Sequence, residues 1–260
     1  MTYAGIFIRN DYSKRSHNFM TTDILIFLLS LAGAFVLRVC GFGFGVFTMA
    51  WLPYLLPSYG EATTLSGILA MLGSIMVAVK HWKDIDWRKL TPILITFIVT
   101  SCASIHFVSI ADDGLLKRIL GAMLIAASIW FLVISKRVKV KPTLPVQITT
   151  GTISGIMGGL FAMHGPAAVL YFLACSKEKN EYMALTMSYL LLGNIMMLGF
   201  RIHNGFLTSA VGHAFLVGIA AVALGTWIGS KVFRHMSTDL VKKISYAYIA
   251  ISGLLSLIMA

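Results

Sequence analysis

Charged residues are scarce in this sequence. Only 12% of its 260 residues are Asp, Glu, Lys or Arg, while 58% are hydrophobic and the mean hydropathy is +0.84. A soluble domain of this size needs about twice that share of charge to cover its surface. The composition therefore excludes a soluble protein and predicts a multi-span α-helical membrane protein. The short alternating segments of a transmembrane β-barrel are missing from the pattern.

Acidic residues are the scarcer sign, and all 10 of them lie in predicted loops or at the ends of apolar segments. This placement disfavours a proton relay of the Asp/Glu type and a binding site for an organic cation. Walker loops, dinucleotide fingerprints and metal-ligand spacings are also missing. Ser154 within Gly151–Gly155, with His213 as a base, lacks the spacing of a hydrolase turn. We therefore expect no enzyme, no catalytic residue, no cofactor and no metal.

Cysteine is rare, and the net charge of +11 does not indicate a nucleic-acid partner. The three cysteines have no CxxC spacing and are interpreted as packing residues. The lysines and arginines lie in short loops between apolar runs, which is the distribution that the positive-inside rule predicts. The first 19 residues are polar and do not resemble a signal peptide, and translation starting at Met20 is an alternative.

Long hydrophobic runs are what the chain has in abundance. The predicted apolar segments cover residues 24–39, 43–57, 62–79, 91–109, 114–135, 145–162, 165–176, 182–200, 207–230 and 240–259. Counting lysine and arginine favours ten crossings with the N-terminus outside, and eight crossings stay open. The predicted organisation is a polar tail (1–22), a first membrane repeat (23–135), a basic linker (136–144) and a second membrane repeat (145–260).

Two glycine-rich stretches interrupt these runs where a helix should continue. One is Gly41-Phe42-Gly43-Phe44-Gly45, and the other runs from Gly158 to Pro166. Each glycine weakens a helix by about 1 kcal/mol, and proline removes a backbone donor. Weakly matching residues follow both stretches in the same order, which suggests a duplication with two inverted repeats. Paired breaks of this kind indicate a transporter's binding site, and tight helix crossings or hairpin turns are the alternative.

Broken helices in a region without carboxylates favour an anion, because helix N-termini carry free N–H groups and about half a positive charge. The predicted donors are the backbone N–H groups of Gly43, Gly45 and Gly165, with Pro166 in the first turn of the second helix. His164 is predicted to hydrogen-bond the anion or to titrate near neutral pH, with a histidine that satisfies freed carbonyls as the alternative. Asn194 either binds the ligand or bridges two helices. The full predicted substrate-binding set is Gly41, Gly43, Phe44, Gly45, Thr48, His164, Gly165, Pro166 and Asn194.

Other polar and aromatic residues have structural interpretations. His106 and His213 are predicted to be packing or interface histidines, and Arg38 an interface residue that extends to the headgroups, with a gating role as the alternative. Aromatic residues near the segment ends are predicted to anchor the interfaces: Trp51, Tyr54, Tyr59, Trp82, Trp87 and Tyr182.

The second glycine stretch also resembles a known family. Ser154-Gly155-Ile156-Met157-Gly158-Gly159-Leu160-Phe161-Ala162-Met163-His164-Gly165-Pro166 is similar to the second-repeat motif of the TauE/SafE sulfite exporters, and Gly41–Gly45 with Pro53 downstream is similar to the first. The resemblance covers about residues 24 to 258. Ala162 and His164 stand where that family often has glycine.

The resemblance implies a secondary transporter that moves sulfite or an organosulfonate across a bacterial inner membrane by alternating access. A passive anion channel and a non-transporting assembly or scaffold protein are the alternatives. The expected partners are a small anion and the lipid bilayer, with a homodimer left open. Direction, coupling ion and exact substrate are not determined by the sequence.

Overall fold

The computed structural model describes residues 3–129, 143–241, 243, 244 and 247 of the chain. Within these residues the chain forms helices and no β-strand. The α-helices are α1 (Tyr3–Cys40), α2 (Phe44–Thr48), α3 (Leu52–Leu55), α4 (Tyr59–Lys80), α5 (Trp87–Ile110), α6 (Asp113–Ile129), α7 (Leu144–Phe161), α8 (Gly165–Cys175), α9 (Lys179–His203) and α10 (Ser209–Arg234), with a 3₁₀ turn at Trp82–Asp84.

Five helices in the described part of the chain are long and apolar enough to cross a membrane. They are Met20–Cys40 of α1, α4, α5, α9 and α10. The much shorter α8 is also apolar. The predicted class, an all-α polytopic membrane protein, is confirmed.

Polar side chains fix where several of these helices begin. Ser58 and Glu61 form a reciprocal capping box at the start of α4. The Asp86 carboxylate accepts from the N–H of Arg88 at the start of α5. The Thr208 hydroxyl accepts from the N–H of Val211 at the start of α10. Such caps satisfy backbone donors that a helix leaves unpaired, at about 1 kcal/mol each. The predicted segments 91–109 and 207–230 begin within a few residues of these caps.

Not every predicted segment corresponds to one observed helix. The segment 43–57 is not one half-helix, because the chain forms the two short helices α2 and α3 there, with Pro53 in the first turn of α3. Helix α1 is continuous from Tyr3, so part of the polar tail 1–22 and the first span share one helix, and the division into a tail, two repeats and a linker stays a prediction. Most of the linker 136–144 and of the segment 240–259 lies outside the described residues.

The helices of the two halves have corresponding neighbours. In the first half α1 contacts α10 and α2, while in the second α7 contacts α5 and α8. Likewise α4 contacts α9 and α10, and α9 contacts α4 and α5. These particular contacts map onto one another when α1, α2, α4 and α5 are exchanged for α7, α8, α9 and α10. The duplication and the inverted orientation of the repeats stay predictions.

Two of the predicted interface aromatics are buried instead. Tyr59 and Tyr182 are 0% and 1% exposed, whereas Trp51 and Tyr54 are well exposed. The Tyr182 hydroxyl donates to the carbonyl of Cys40 at 2.5 Å. An anchoring role for Tyr59 and Tyr182 is therefore wrong, because both rings are packed between helices. The expected exposure of Trp82 and Trp87 is observed.

Candidate functional site

Both glycine stretches break helices at the predicted places. Helix α1 ends at Cys40 and α7 ends at Phe161, and each is followed by a residue in the left-handed region, Gly41 at φ 87° and Ala162 at φ 55°. Ala162 is the only non-glycine residue with positive φ in the described part of the chain. Glycine adopts this conformation freely, whereas alanine is strained there. Gly41 and Ala162 therefore occupy corresponding positions at the two helix ends.

The two breaks lie against each other through their backbones. A β-carbon on Gly45, in the first break, would lie 2.1 Å from the carbonyl oxygen of Ala162 in the second. In the reverse direction, a β-carbon on Gly165 would lie 2.8 Å from the β-carbon of Phe42. Contacts that close are available only to glycine. The glycines therefore bring the two breaks together, which helix-breaking alone would not do.

A small cavity of about 20 Å³ lies between the breaks. Its lining residues are Leu37, Gly43, Phe44, Gly45, Val46, Ala70, Ala162, Met163, His164, Gly165, Pro166 and Leu190. Six of the nine predicted site residues are among them, and none of the lining residues is a carboxylate. The volume is room for about one water molecule. The structure is therefore closed around the breaks.

His164 is the only ionisable side chain that lines this cavity. It is 3% exposed, and its ring lies 5.2 Å from the Phe97 ring and 5.9 Å from the Tyr189 ring, centre to centre. Neither ring nitrogen makes a hydrogen bond of ordinary geometry with a described residue, although the ring faces the backbone of Leu190. Buried polar groups are normally paired. The ring can therefore provide a donor or an acceptor to a ligand.

The carbonyl group of His164 is held by a buried relay of hydroxyl groups. The Ser154 hydroxyl donates to this carbonyl, and the Tyr189 hydroxyl donates to Ser154 Oγ at 2.6 Å. Ser154 belongs to α7 and Tyr189 to α9, so the relay connects both helices to the break. Removing Ser154 would take one acceptor bond from the carbonyl and leave the Tyr189 hydroxyl unpaired, at about 1–3 kcal/mol for the buried hydroxyl. The relay therefore fixes the backbone on which His164 is carried.

Only one of the two helices predicted to begin at the breaks is long enough to bind an anion at its N-terminus. Helix α8 has 11 residues and Pro166 in its first turn, as predicted. Helix α2 has only five residues, so its aligned dipoles are too few for the effect expected beyond Gly45. The prediction of a half-helix that begins after Gly45 is wrong, because α2 already ends at Thr48 and the chain turns before α3.

Three predicted site residues lie away from the cavity lining. Gly41 faces the hydroxyl of Tyr182, from which a β-carbon would be 2.6 Å away. The Thr48 hydroxyl is buried and lies 3.0 Å from Ser66 Oγ. Asn194, 2% exposed on α9, has no partner for either atom of its amide among the described residues. Their roles in binding stay predictions.

Arg201 is the residue that the sequence analysis missed. The positive-inside pattern places this arginine in a loop at the end of a segment, yet it is 2% exposed on α9. Its guanidinium donates to the carbonyls of Thr63 at 2.8 Å, Gly158 at 3.1 Å and Gly159 at 3.5 Å. The available signal was its spacing of seven residues from Asn194, which places both on one helix face.

The remaining polar candidates are not at the breaks. His106 is exposed, and His213 is an exposed partner of Asp23 at 3.1 Å, so neither is buried at depth. Arg38 is 9% exposed, donates to Ser230 at 2.9 Å and lies over the Phe233 ring. Among the described residues, no three His, Cys, Asp or Glu side chains are placed to hold a metal ion.

Comparison with known proteins gives the family. The family model described as sulfite exporter TauE/SafE matches residues 25–256. Neither the curated proteins nor the solved structures contain a match to the chain. The chain belongs to the TauE/SafE sulfite exporter family, and it is a multi-pass membrane protein of a transporter family.

Proposed function

We propose that this member of the TauE/SafE family is a secondary transporter that moves a small anion, sulfite or an organosulfonate, across the bacterial inner membrane. The observation that carries the proposal is the contact between the two helix breaks, where Gly45 meets Ala162. Backbone groups freed inside a bilayer must be buried in protein or line a polar cavity. Here both breaks surround one cavity without a carboxylate, at which His164 presents an unpaired ring.

The sign of the substrate follows from the groups around the breaks. The N-terminus of α8 carries about half a positive charge, which favours an anion. The lining contains no group that would carry negative charge at neutral pH. Arg201 adds a full positive charge to the neighbouring C-terminal turn of α7. A cation would meet an unfavourable field here, whereas a sulfur oxyanion would be attracted.

The closed cavity supports a carrier that works by alternating access. Sulfite has four non-hydrogen atoms, and a space for about one water molecule cannot contain it. The breaks must therefore separate before an anion binds. Movement between the two halves, with the glycine contacts as the points of separation, is the alternating access that paired broken helices serve in other carriers.

The test is flux of radiolabelled sulfite in proteoliposomes, with methanesulfonate, taurine and sulfate as competitors. Saturation with rising sulfite and competition by a sulfonate would support a carrier for sulfur-containing anions. Flux that rises without saturation would indicate a passive channel. Absence of flux for every anion, with protein that elutes as a single folded species, would contradict the proposal.

A further inference from the structure

Arg201 is a buried cation whose charge is not balanced by the described residues. No described carboxylate lies within 4.0 Å of its guanidinium, and its three hydrogen bonds all go to neutral backbone carbonyls. A guanidinium has five N–H donors, so these bonds leave two of them. The C-terminal turn of α7 offers only about half a negative charge. Isolated buried charges are costly, and proteins normally pair them.

Unpaired polar groups surround the same guanidinium. Gly67 of α4 approaches so closely that a β-carbon there would lie 2.9 Å from Arg201 Nη1 and 3.4 Å from Asn194 Oδ1. The amide nitrogen of Asn194 lacks a hydrogen-bond partner among the described residues. The hydroxyl of Tyr59, which is 0% exposed and within electrostatic range of Arg201, lacks one as well. The guanidinium, the Asn194 amide nitrogen and the Tyr59 hydroxyl are thus three hydrogen-bond donors in one buried region that can still accept a partner.

From this arrangement we propose that Arg201, with Asn194 beside it, is the counter-charge that binds the oxyanion group of the transported substrate. The inference rests on the proposed function, because it assigns the residue that recognises the anion. The planar guanidinium engages two oxygens of one oxyanion at once, which the single ammonium group of lysine does not. Sulfite and sulfonates both present such oxygens.

When no anion is bound, the Arg201 guanidinium donates to the carbonyls of Gly158 and Gly159. They belong to the last turn of α7, which ends at the second break. A β-carbon on Gly158 would lie 2.7 Å from the β-carbon of His164, so this turn packs directly on the residue that lines the cavity. An anion that draws the guanidinium away would release these carbonyls and loosen the break. Binding at Arg201 and opening of the breaks are thereby coupled.

The experiment measures sulfite binding by titration calorimetry on the purified full-length protein in detergent, with sodium sulfite as the probe. The variant Arg201→Gln keeps N–H donors for the carbonyls but removes the charge. We expect its Kd to rise about 30-fold or more, as for the loss of a charge-assisted pair. Arg201→Lys keeps the charge and loses the fork, so its Kd should rise less. If Arg201 only caps the end of α7, both variants should instead change the unfolding temperature and leave the Kd for sulfite unchanged.

Gly67→Ala provides a test that leaves Arg201 in place, since the new methyl group would press on Nη1 and on Asn194. We expect weaker sulfite binding, by about tenfold, if the two side chains must move together around the anion. Gly199→Ala on α9 is the matched control, because a β-carbon there would meet nothing within 4 Å. If Arg201→Gln does not fold, this pair decides the question.

Each outcome has one meaning. Folded Arg201→Gln with the Kd of the unmodified protein, or normal binding by Gly67→Ala, would overturn the assignment while sulfite binding by the unmodified protein still supports the proposed function. Absence of sulfite and methanesulfonate binding in the unmodified protein would overturn both.

Discussion

Gly45 and Ala162 belong to different helix breaks, yet a β-carbon on Gly45 would lie only 2.1 Å from the carbonyl oxygen of Ala162. This contact, with that of Gly165 on Phe42, brings the two breaks together. Because the neighbouring atom belongs to the backbone and not to a flexible side chain, a rotamer change cannot relieve the clash of a methyl group added at Gly45. The contact therefore links the sequence feature, a glycine cluster, to the transport step that we propose.

Gly45→Ala should prevent the closed arrangement. We expect saturable sulfite flux to fall at least about tenfold and the free energy of unfolding to fall by about 1–3 kcal/mol, the usual cost of overpacking. Flux in proteoliposomes and thermal unfolding in detergent measure the two effects. The control is Gly212→Ala in α10, where a β-carbon would meet nothing within 4 Å. Equal flux in the two variants would show that closing of the breaks is not part of transport.

Ala162→Gly should stabilise the protein. Alanine in the left-handed region destabilises the folded protein by about 1–2 kcal/mol. Glycine avoids this strain, but its greater freedom in the unfolded chain offsets about 0.5–1 kcal/mol of the gain. The net gain should raise the unfolding temperature by about 2 °C. Ala168→Gly, within the regular part of α8 and fully buried, should lower it instead. A lower unfolding temperature for Ala162→Gly would contradict the strained backbone at φ 55°.

The hydroxyl relay predicts an order among three variants. Ser154→Ala removes both hydrogen bonds of the relay and leaves the buried Tyr189 hydroxyl unpaired, whereas Tyr189→Phe leaves the bond from Ser154 to the His164 carbonyl intact. We expect Ser154→Ala to be the more destabilising, by about 1–3 kcal/mol. Adding Tyr189→Phe to Ser154→Ala should cost less than its effect alone, since one unpaired hydroxyl is removed. Additive losses in thermal unfolding would show that the relay does not act as a unit.

His164→Phe separates binding from packing at the cavity. Phenylalanine can occupy the space between the Phe97 and Tyr189 rings but offers no nitrogen to an anion. If His164 binds the substrate, the KM for sulfite should rise about tenfold with an unchanged unfolding temperature. An unchanged KM would assign His164 to packing alone. Phe97→Leu serves as the control for a changed ring contact without a lost nitrogen.

The sequence predicted the breaks because they depend on local backbone chemistry. Glycine and proline at 41–45 and 158–166 weaken a helix wherever they occur, so α1 and α7 end where expected. Burial of Arg201 depends instead on how α4, α7 and α9 pack, and a count of charged residues near segment ends contains no such information. Tyr59 and Tyr182 were placed at the interface for the same reason. Hydrophobic periodicity likewise does not reveal the turn between α2 and α3, so Pro53 alone did not predict that the segment 43–57 divides into two short helices.

In the transport cycle that we propose, the closed breaks open alternately to the two sides of the membrane with an anion bound. A counterflow experiment measures this: proteoliposomes are filled with unlabelled sulfite, and entry of radiolabelled sulfite from outside is followed over time. We expect a transient accumulation of label above its equilibrium level, which Gly45→Ala abolishes and Gly212→Ala retains. Simple equilibration without this overshoot, at the same rate in empty and filled vesicles, would contradict alternating access and indicate a passive path.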